Sequence, residues 1–223
     1  MSAPTVVFDL DGTLVDTAPD LVDTLNIILA REGMPPVPFE VARNMIGGGA
    51  RVLIERGLKA EGRSCSPVEI NRLYSDFVAY YGDHLADRSC PFPGAVEAIE
   101  QLAARGCRFA VCTNKLEGLS VSLLRALGLS SHFAAVCGQD TFGVQKPNPE
   151  ILLRTIRQAG GNPARSVMVG DSANDIDVAR AAKVPVIAVD FGYTETPVAQ
   201  LGPDRIINHF DKLPAAVFEL ITE

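Results

Sequence analysis

The sequence lacks several features that would point to particular functions. Lysine and arginine together number 20 against 27 acidic residues, so the net charge is −7 and no basic excess indicates a nucleic-acid-binding surface. No apolar run reaches the length of a membrane-spanning helix. The three histidines lie in no motif that we recognise, and no cysteine pair has C-x-x-C spacing. We therefore expect neither nucleic acid nor a membrane as a partner.

The cysteines bear on the cellular compartment. They are five in number, and Cys107, Cys112 and Cys137 lie in or beside apolar, strand-like runs that favour buried free thiols. The first predicted strand begins after about four residues, which leaves no room for a signal peptide. Both observations favour a reduced, cytoplasmic protein.

Hydrophobic residues make up 47% of the 223 positions, enough for a sizeable core. Helical spacing dominates the chain from residue 18 to about residue 85, with helices predicted over 18–31, 39–45, 51–58 and 67–86. From residue 94 the pattern changes to alternating strands and helices. Strands are predicted over 5–9, 107–112, 133–137, 166–170, 185–189 and 205–207, and helices over 94–105, 116–127, 148–159, 173–182 and 211–221.

Alternating strands and helices predict a parallel sheet with helices on both faces. The expected fold class is α/β, with a Rossmann-like parallel sheet core formed by residues 1–17 and 86–223. Residues 18–85 then form a small helical cap domain inserted after the first strand.

The stretch from Val6 to Thr17 carries the first chemical signal. An apolar strand runs into Asp9 and Asp11, and Gly12 then breaks the regular pattern. Two carboxylates at the end of a buried strand are costly unless they are paired, and a divalent cation would remove that cost. Taken alone, the pattern is equally typical of a solvated Asp-Gly turn.

Polar residues follow further strand ends in the second half of the chain. Thr113 and Asn114 follow one strand, Lys146 precedes a helix, and Asp171 follows another strand. Because ligands bind at the carboxyl ends of the strands in an open α/β sheet, we expect these side chains to meet. Each alone has a simpler interpretation as a helix cap, a turn or an exposed lysine.

The whole set resembles a known family. The string Asp9-Leu10-Asp11-Gly12-Thr13-Leu14-Val15-Asp16 resembles the first motif of the haloacid dehalogenase-like hydrolase superfamily, and the other three motifs follow in order. The continuation from Asp16 to Leu21 resembles the phosphoglycolate phosphatase branch. This resemblance implies that Asp9 is a nucleophile that becomes phosphorylated and that Asp11 is a general acid and base.

The resemblance also implies roles for the other strand-end residues. Thr113 and Lys146 would assist catalysis, and together with Asn114 they would bind the phosphate. Mg²⁺ is the implied cofactor, bound by the side chains of Asp9 and Asp171 and by the backbone carbonyl of Asp11. Asp175 would orient Lys146 or the water ligands of the metal.

The substrate is expected to be a small anionic phosphate ester, and 2-phosphoglycolate is the leading candidate. The run Gly47-Gly48-Gly49-Ala50-Arg51 resembles a cap segment of that branch, and Arg51 could bind a carboxylate or phosphate. A solvated helix charge is an equally good interpretation of Arg51. A phosphomutase acting on a sugar phosphate and a non-catalytic binding protein remain alternative functions, and the chain is expected to be a monomer or a homodimer.

Overall fold

A six-stranded parallel sheet forms the centre of the protein in the computed structural model, which describes residues 3–221. Along the sheet the strand order is β5-β4-β1-β6-β7-β8. The strands are β1 (Thr5–Phe8), β4 (Arg108–Cys112), β5 (Ala135–Cys137), β6 (Ser166–Gly170), β7 (Val186–Val189) and β8 (Arg205–Ile207). Strand β1 pairs with both β4 and β6, which places its carboxyl end in the interior of the sheet.

Side-chain alternation along the strands divides the core between the two faces of the sheet. Val6 and Phe8 of β1 pack in one apolar cluster with α5 (Ala95–Ala104), α6 (Glu117–Ala126) and α9 (Leu213–Ile221). Val7 points into the other cluster, which contains residues of α7 (Pro149–Gln158) and α8 (Ala173–Ala182). Helices therefore cover both faces, and the predicted α/β fold is confirmed.

A block of helices leaves the sheet after β1 and returns before β4. We call residues 18–83 the helical insert; it consists of α1 (Ala18–Arg31), α2 (Phe39–Arg43), α3 (Ala50–Ala60) and α4 (Pro67–Asp83). The two segments that connect it to the sheet pair with each other as short antiparallel strands, β2 (Val15–Asp16) and β3 (Cys90–Pro91). These connections lie side by side at one end of the insert.

Buried Asp20 strengthens this connection. Its carboxylate accepts hydrogen bonds from the backbone N–H groups of Arg88 and Ser89 and from the Ser89 hydroxyl, at 2.6–3.1 Å. Because Asp20 lies in the first turn of α1, these bonds fasten the start of the insert to its end. The chain turns back at this point, and α4 therefore ends at Asp83 rather than continuing to residue 86 as predicted.

Other predicted boundaries also need small corrections. Strand β1 ends at Phe8, so Asp9 begins the loop rather than ending the strand. The last helix starts at Leu213 because a 3-10 turn occupies Phe210–Lys212. All five cysteines are free thiols; Cys112 and Cys137 are buried as predicted, whereas Cys107 is partly exposed because it precedes β4. Within residues 3–221, the helices are too short or too polar to cross a membrane.

Candidate active site

The structure brings the predicted strand-end residues together at one edge of the sheet. Asp9 and Asp11 lie in the loop after β1, Thr113 and Asn114 follow β4, and Asp171 follows β6. Asp9, Lys146 and Asp171 are each at most 5% exposed. Because burying an isolated charge is costly, their mutual contacts decide whether this arrangement is stable.

Lys146 supplies the positive charge at the centre of this group. Its Nζ lies 2.9 Å from Asp9 Oδ1 and 2.6 Å from Asp175 Oδ1. Burial acts to lower the pKa of Lys146, but the two carboxylates outweigh it and the pKa lies above its usual value. Lys146 therefore remains an ammonium ion next to the expected nucleophile.

Three buried carboxylates share this single ammonium group. One oxygen from each of Asp9, Asp171 and Asp175 lies within 4.8 Å of the others, close enough to hold a metal ion. Burial and the neighbouring Asp175 raise the pKa of Asp9 to about 7, although Lys146 partly offsets the rise. Burial, Asp175 and Asp9 likewise raise the pKa of Asp171. An excess of buried negative charge formed by hard oxygen donors fits Mg²⁺ better than a soft metal.

Asp175 is already engaged through both of its oxygens. Oδ1 accepts from Lys146, whereas Oδ2 accepts from the backbone N–H groups of Asp171 and Ser172 and from the Ser172 hydroxyl. These bonds close the first turn of α8 and hold Asp171 and Lys146 in place. The contacts are compatible with the predicted orienting role of Asp175, which accepts four hydrogen bonds and is therefore less available to a cation than Asp171, which accepts two.

Asp171 is oriented by two residues that the sequence patterns did not single out. The Thr13 hydroxyl donates to Asp171 Oδ1 and the Tyr193 backbone N–H donates to Oδ2, both at 2.7 Å. Gly12 makes this approach possible, because a Cβ there would lie 2.6 Å from Asp171 Oδ2 and its φ of 82° disfavours other residues. The glycine of the first motif therefore allows the β1 loop to approach Asp171.

Thr113 and Asn114 occupy the end of β4. The Thr113 hydroxyl accepts from the backbone N–H of Lys115 at 3.2 Å. Asn114 Oδ1 accepts from the backbone N–H of Lys146 at 2.9 Å, and its Nδ2 donates to the Lys146 carbonyl at 3.3 Å. Asn114 thus fixes the backbone of Lys146, and its direct contact with phosphate stays a prediction.

Lys115 is a site residue that the sequence reasoning missed. Its ammonium group donates to both carboxylate oxygens of Asp11, at 3.0 and 3.2 Å, and to the Tyr81 hydroxyl at 2.9 Å. The Thr17 hydroxyl also donates to Asp11. The available signal was its position directly after Thr113 and Asn114, but nothing in the sequence indicated that Tyr81 of α4 would meet it.

A partly open cavity lies between the strand ends and the helical insert. Asp9, Asp11 and Thr113 line one side, and apolar side chains of the insert such as Phe77 and Val78 line the other. Gly49 brings the start of α3 against the strand ends, since a Cβ there would lie 3.0 Å from the Asn114 carbonyl oxygen. A few polar groups set among apolar side chains are typical of a small-molecule site.

Arg51 does not line this cavity. Its side chain is exposed, with Nη2 donating to Asn71 Oδ1 at 2.6 Å and the guanidinium carbon 5.2 Å from the centre of the Tyr74 ring. The structure therefore does not bring Arg51 together with the other predicted site residues. Its contact with substrate stays a prediction.

Comparison with known proteins identifies the family. A family model for haloacid dehalogenase-like hydrolases matches residues 6–189. This range includes Asp9, Asp11, Thr113, Lys146 and Asp171. The chain belongs to this family. Its sequence is 49% identical over 219 residues to a phosphoglycolate phosphatase of Mesorhizobium japonicum, covering 98% of this chain and 96% of that protein.

Two further haloacid dehalogenase-like proteins extend this comparison. A phosphoglycolate phosphatase of Caulobacter vibrioides is 47% identical over 222 residues, covering 100% of this chain and 94% of that protein. The crystal structure of a predicted phosphoglycolate phosphatase from Haemophilus somnus is 31% identical and superimposes with a TM-score of 0.88, covering 97% and 98% of the two chains. The similarity thus extends over both the sheet and the helical insert.

Proposed function

We propose that this chain is a magnesium-dependent phosphatase that hydrolyses 2-phosphoglycolate to glycolate and phosphate. The main observation is that Asp9 and Asp11 line one cavity, with Lys146 Nζ 2.9 Å from Asp9 Oδ1 and the helical insert on the opposite side. The full-length similarity to proteins named phosphoglycolate phosphatase supports the choice of substrate.

In the first half of the proposed reaction, the Asp9 carboxylate attacks phosphorus and forms an aspartyl phosphate. The bond between phosphorus and the glycolate oxygen breaks as the new bond forms. Asp11, two residues further along the same loop, donates a proton to the departing oxygen. Lys146, 2.9 Å from Asp9 Oδ1, stabilises the negative charge around the transferred group.

In the second half, water hydrolyses the aspartyl phosphate. Asp11, now a carboxylate, accepts a proton from the attacking water, the phosphorus–Asp9 bond breaks, and phosphate leaves. Asp9 returns as a carboxylate and Asp11 as an acid. The Thr113 hydroxyl and nearby backbone N–H groups bind phosphoryl oxygens through both steps.

Asp9, Asp171 and the Asp11 carbonyl are the groups that would hold Mg²⁺. Bound there, Mg²⁺ would supply charge neutralisation for the phosphoryl group and fix its orientation. The excess of buried carboxylate over ammonium charge in this cluster supports this assignment.

The helical insert corresponds to the cap domain that we predict over residues 18–85. The paired connections β2 and β3 are well positioned to act as a hinge, so that closure of the insert would exclude bulk water and large leaving groups. We further propose that the protein acts in the cytoplasm, which the five free thiols support, and that it is a monomer or homodimer.

Steady-state kinetics with a panel of phosphate esters and Mg²⁺ test the proposal. We expect kcat/KM for 2-phosphoglycolate to exceed that for nucleotides and phosphoproteins by at least about tenfold, because the closed insert would hinder a large leaving group. Acid quench followed by mass spectrometry should place the phosphoryl group on Asp9.

Three outcomes would contradict the proposal. Equal turnover of nucleotides would show that the insert does not select esters by size. Phosphate on a serine or histidine would refute the mechanism. A requirement for a sugar bisphosphate activator, together with slow hydrolysis, would favour a phosphomutase instead.

A further inference from the structure

Lys115 differs from the other side chains around the cavity in its charge. Among the described residues that line the cavity, Lys115 alone has a cationic side chain. Lys146 and Arg51 do not line the cavity. Lys115 is 7% exposed and comes from the loop after β4, so its position is held by the sheet rather than by the insert.

Three oxygen acceptors surround the ammonium group of Lys115. The three donors of its ammonium group are directed at the two oxygens of Asp11 and at the Tyr81 hydroxyl. Two of these acceptors belong to a carboxylate, whereas the third is a neutral hydroxyl.

The chemistry of a two-carbon substrate places its carboxylate near this group. The leaving oxygen of 2-phosphoglycolate must approach Asp11 within hydrogen-bond distance to receive a proton. A single methylene joins that oxygen to the substrate carboxylate, so the carboxylate must lie close to Asp11 as well. Lys115 Nζ is only 3.0 Å from Asp11 Oδ1 and is therefore within reach.

The other described residues that line the cavity offer no second cation for the substrate carboxylate. Phe77, Val78 and Leu119 are apolar, and a carboxylate buried against them without a partner would be strongly disfavoured. A substrate carboxylate could replace the Tyr81 hydroxyl as the third acceptor of Lys115. A charge-assisted hydrogen bond is stronger than the neutral one that it would replace.

We propose that the ammonium group of Lys115 binds the substrate carboxylate and thereby determines the preference for a carboxylate-bearing phosphate ester. This inference rests on the proposed function and adds to it a specificity-determining residue. Arg51 is the competing candidate from the sequence, but its guanidinium is exposed and occupied by Asn71 and Tyr74.

The test compares two esters that differ only in the group at issue. Ethyl phosphate has the two-carbon leaving group of 2-phosphoglycolate with a methyl group in place of the carboxylate. The measured quantity is the ratio of kcat/KM for 2-phosphoglycolate to kcat/KM for ethyl phosphate. Any general effect of a substitution on Asp11 slows both esters and cancels in this ratio.

Lys115→Met should lower the ratio from at least about tenfold to near one, mainly through a higher KM for 2-phosphoglycolate. Lys115→Arg, which keeps the charge, should retain most of the preference. Lys59→Met, an exposed lysine of α3, is the matched control and should leave the ratio unchanged. Circular dichroism checks folding, and Lys115→Gln, which keeps a donor for Asp11, replaces Lys115→Met if that variant does not fold.

The outcomes separate this inference from the proposed function. If wild type prefers 2-phosphoglycolate and Lys115→Met and Lys115→Gln keep that preference, Lys115 only holds Asp11 and the inference is wrong. If Arg51→Met instead lowers the ratio to near one, Arg51 is the carboxylate-binding residue and the inference is also wrong. If wild type itself shows no preference between the two esters, the proposed substrate is wrong.

Discussion

The two walls of the cavity are built in different ways. The strand-end wall carries Asp9, Asp11 and Thr113, and its carboxylates are partly neutralised through contacts at 2.6–3.2 Å with lysines of the same wall. The wall formed by the helical insert is mainly apolar, with Leu53 and Phe77 among its side chains. Bond-making chemistry requires charges at fixed distances, whereas exclusion of water requires only a close-fitting apolar surface.

Polar contacts join the two walls at particular points. Lys115 donates to the Tyr81 hydroxyl, and the amides of Asn114 and Asn174 both donate to the Gly47 carbonyl, at 3.5 and 3.3 Å. These contacts set the position of the insert over the strand ends. We infer from this comparison that the strand-end wall supplies the charged groups for the reaction and, through Lys115, the contact with the ester's carboxylate, whereas the apolar insert limits the size of the ester.

The largest expected effect separates two roles within the strand-end wall. Asp11→Asn should lower kcat by roughly 10²–10⁴-fold, because it removes proton transfer but keeps the backbone carbonyl. Asp171→Ala removes a carboxylate of the acidic cluster and should weaken Mg²⁺ binding much more than Asp11→Asn does. Titration calorimetry with Mg²⁺ on both variants measures this difference, and equal loss of Mg²⁺ affinity would contradict the division of roles.

A smaller effect is expected where the insert meets the strand ends. Gly49→Ala should lower kcat/KM for 2-phosphoglycolate about tenfold, since the new Cβ would lie 3.0 Å from the Asn114 carbonyl and push the walls apart. Gly62→Ala is the matched control, because Gly62 also has positive φ but a Cβ there would meet nothing within 4 Å.

Gly49 has φ 86° and ψ 167°, a conformation that is essentially restricted to glycine, so Gly49→Ala should lower the temperature of thermal unfolding at least as much as Gly62→Ala does. Steady-state kinetics should then distinguish them. If Gly62→Ala lowers kcat/KM as much as Gly49→Ala does, the loss reflects backbone strain and not the spacing of the walls.

The smallest effect concerns the stability of the strand-end wall without metal. Burial raises the pKa of Asp9 to about 7 in the folded protein, whereas its ordinary value, which applies to the unfolded chain, is 3.8. At a pH between these two values the folded state therefore binds more protons than the unfolded state. The contribution of Asp9 to the free energy of unfolding should therefore fall as pH rises from about 4 to about 7, by on the order of 1 kcal/mol or more.

Urea unfolding in the presence of a chelator at pH 5 and pH 8 measures this fall. Asp9→Asn should reduce it, because the amide stays neutral and can keep the contacts that Asp9 Oδ1 makes with Leu10 N–H and Lys146. Asp83→Asn, at the exposed end of α4, is the control and should leave the fall unchanged. An unchanged fall in Asp9→Asn would show that burial of this carboxylate does not limit stability.

The sequence alone was sufficient to predict the α/β fold and most residues of the strand-end wall, although not Lys115. Strands such as β1 are continuous apolar runs, and the rule that parallel strands present their carboxyl ends at one edge places Asp9, Thr113 and Asp171 together. Short motifs carry this information because each motif holds a strand end and its polar residue within a few positions.

The remaining features depend on contacts between distant parts of the chain. Strands β2 and β3 have two residues each, too few for any periodic pattern, and form because 15–16 and 90–91 meet in space. Lys115 reaches Tyr81 across 34 positions, and Tyr193 reaches Asp171 across 22. Composition and spacing cannot specify such pairs, because the packing of the insert on the sheet brings them together. For the same reason tertiary structure alone placed Lys115 inside the cavity and Arg51 outside it.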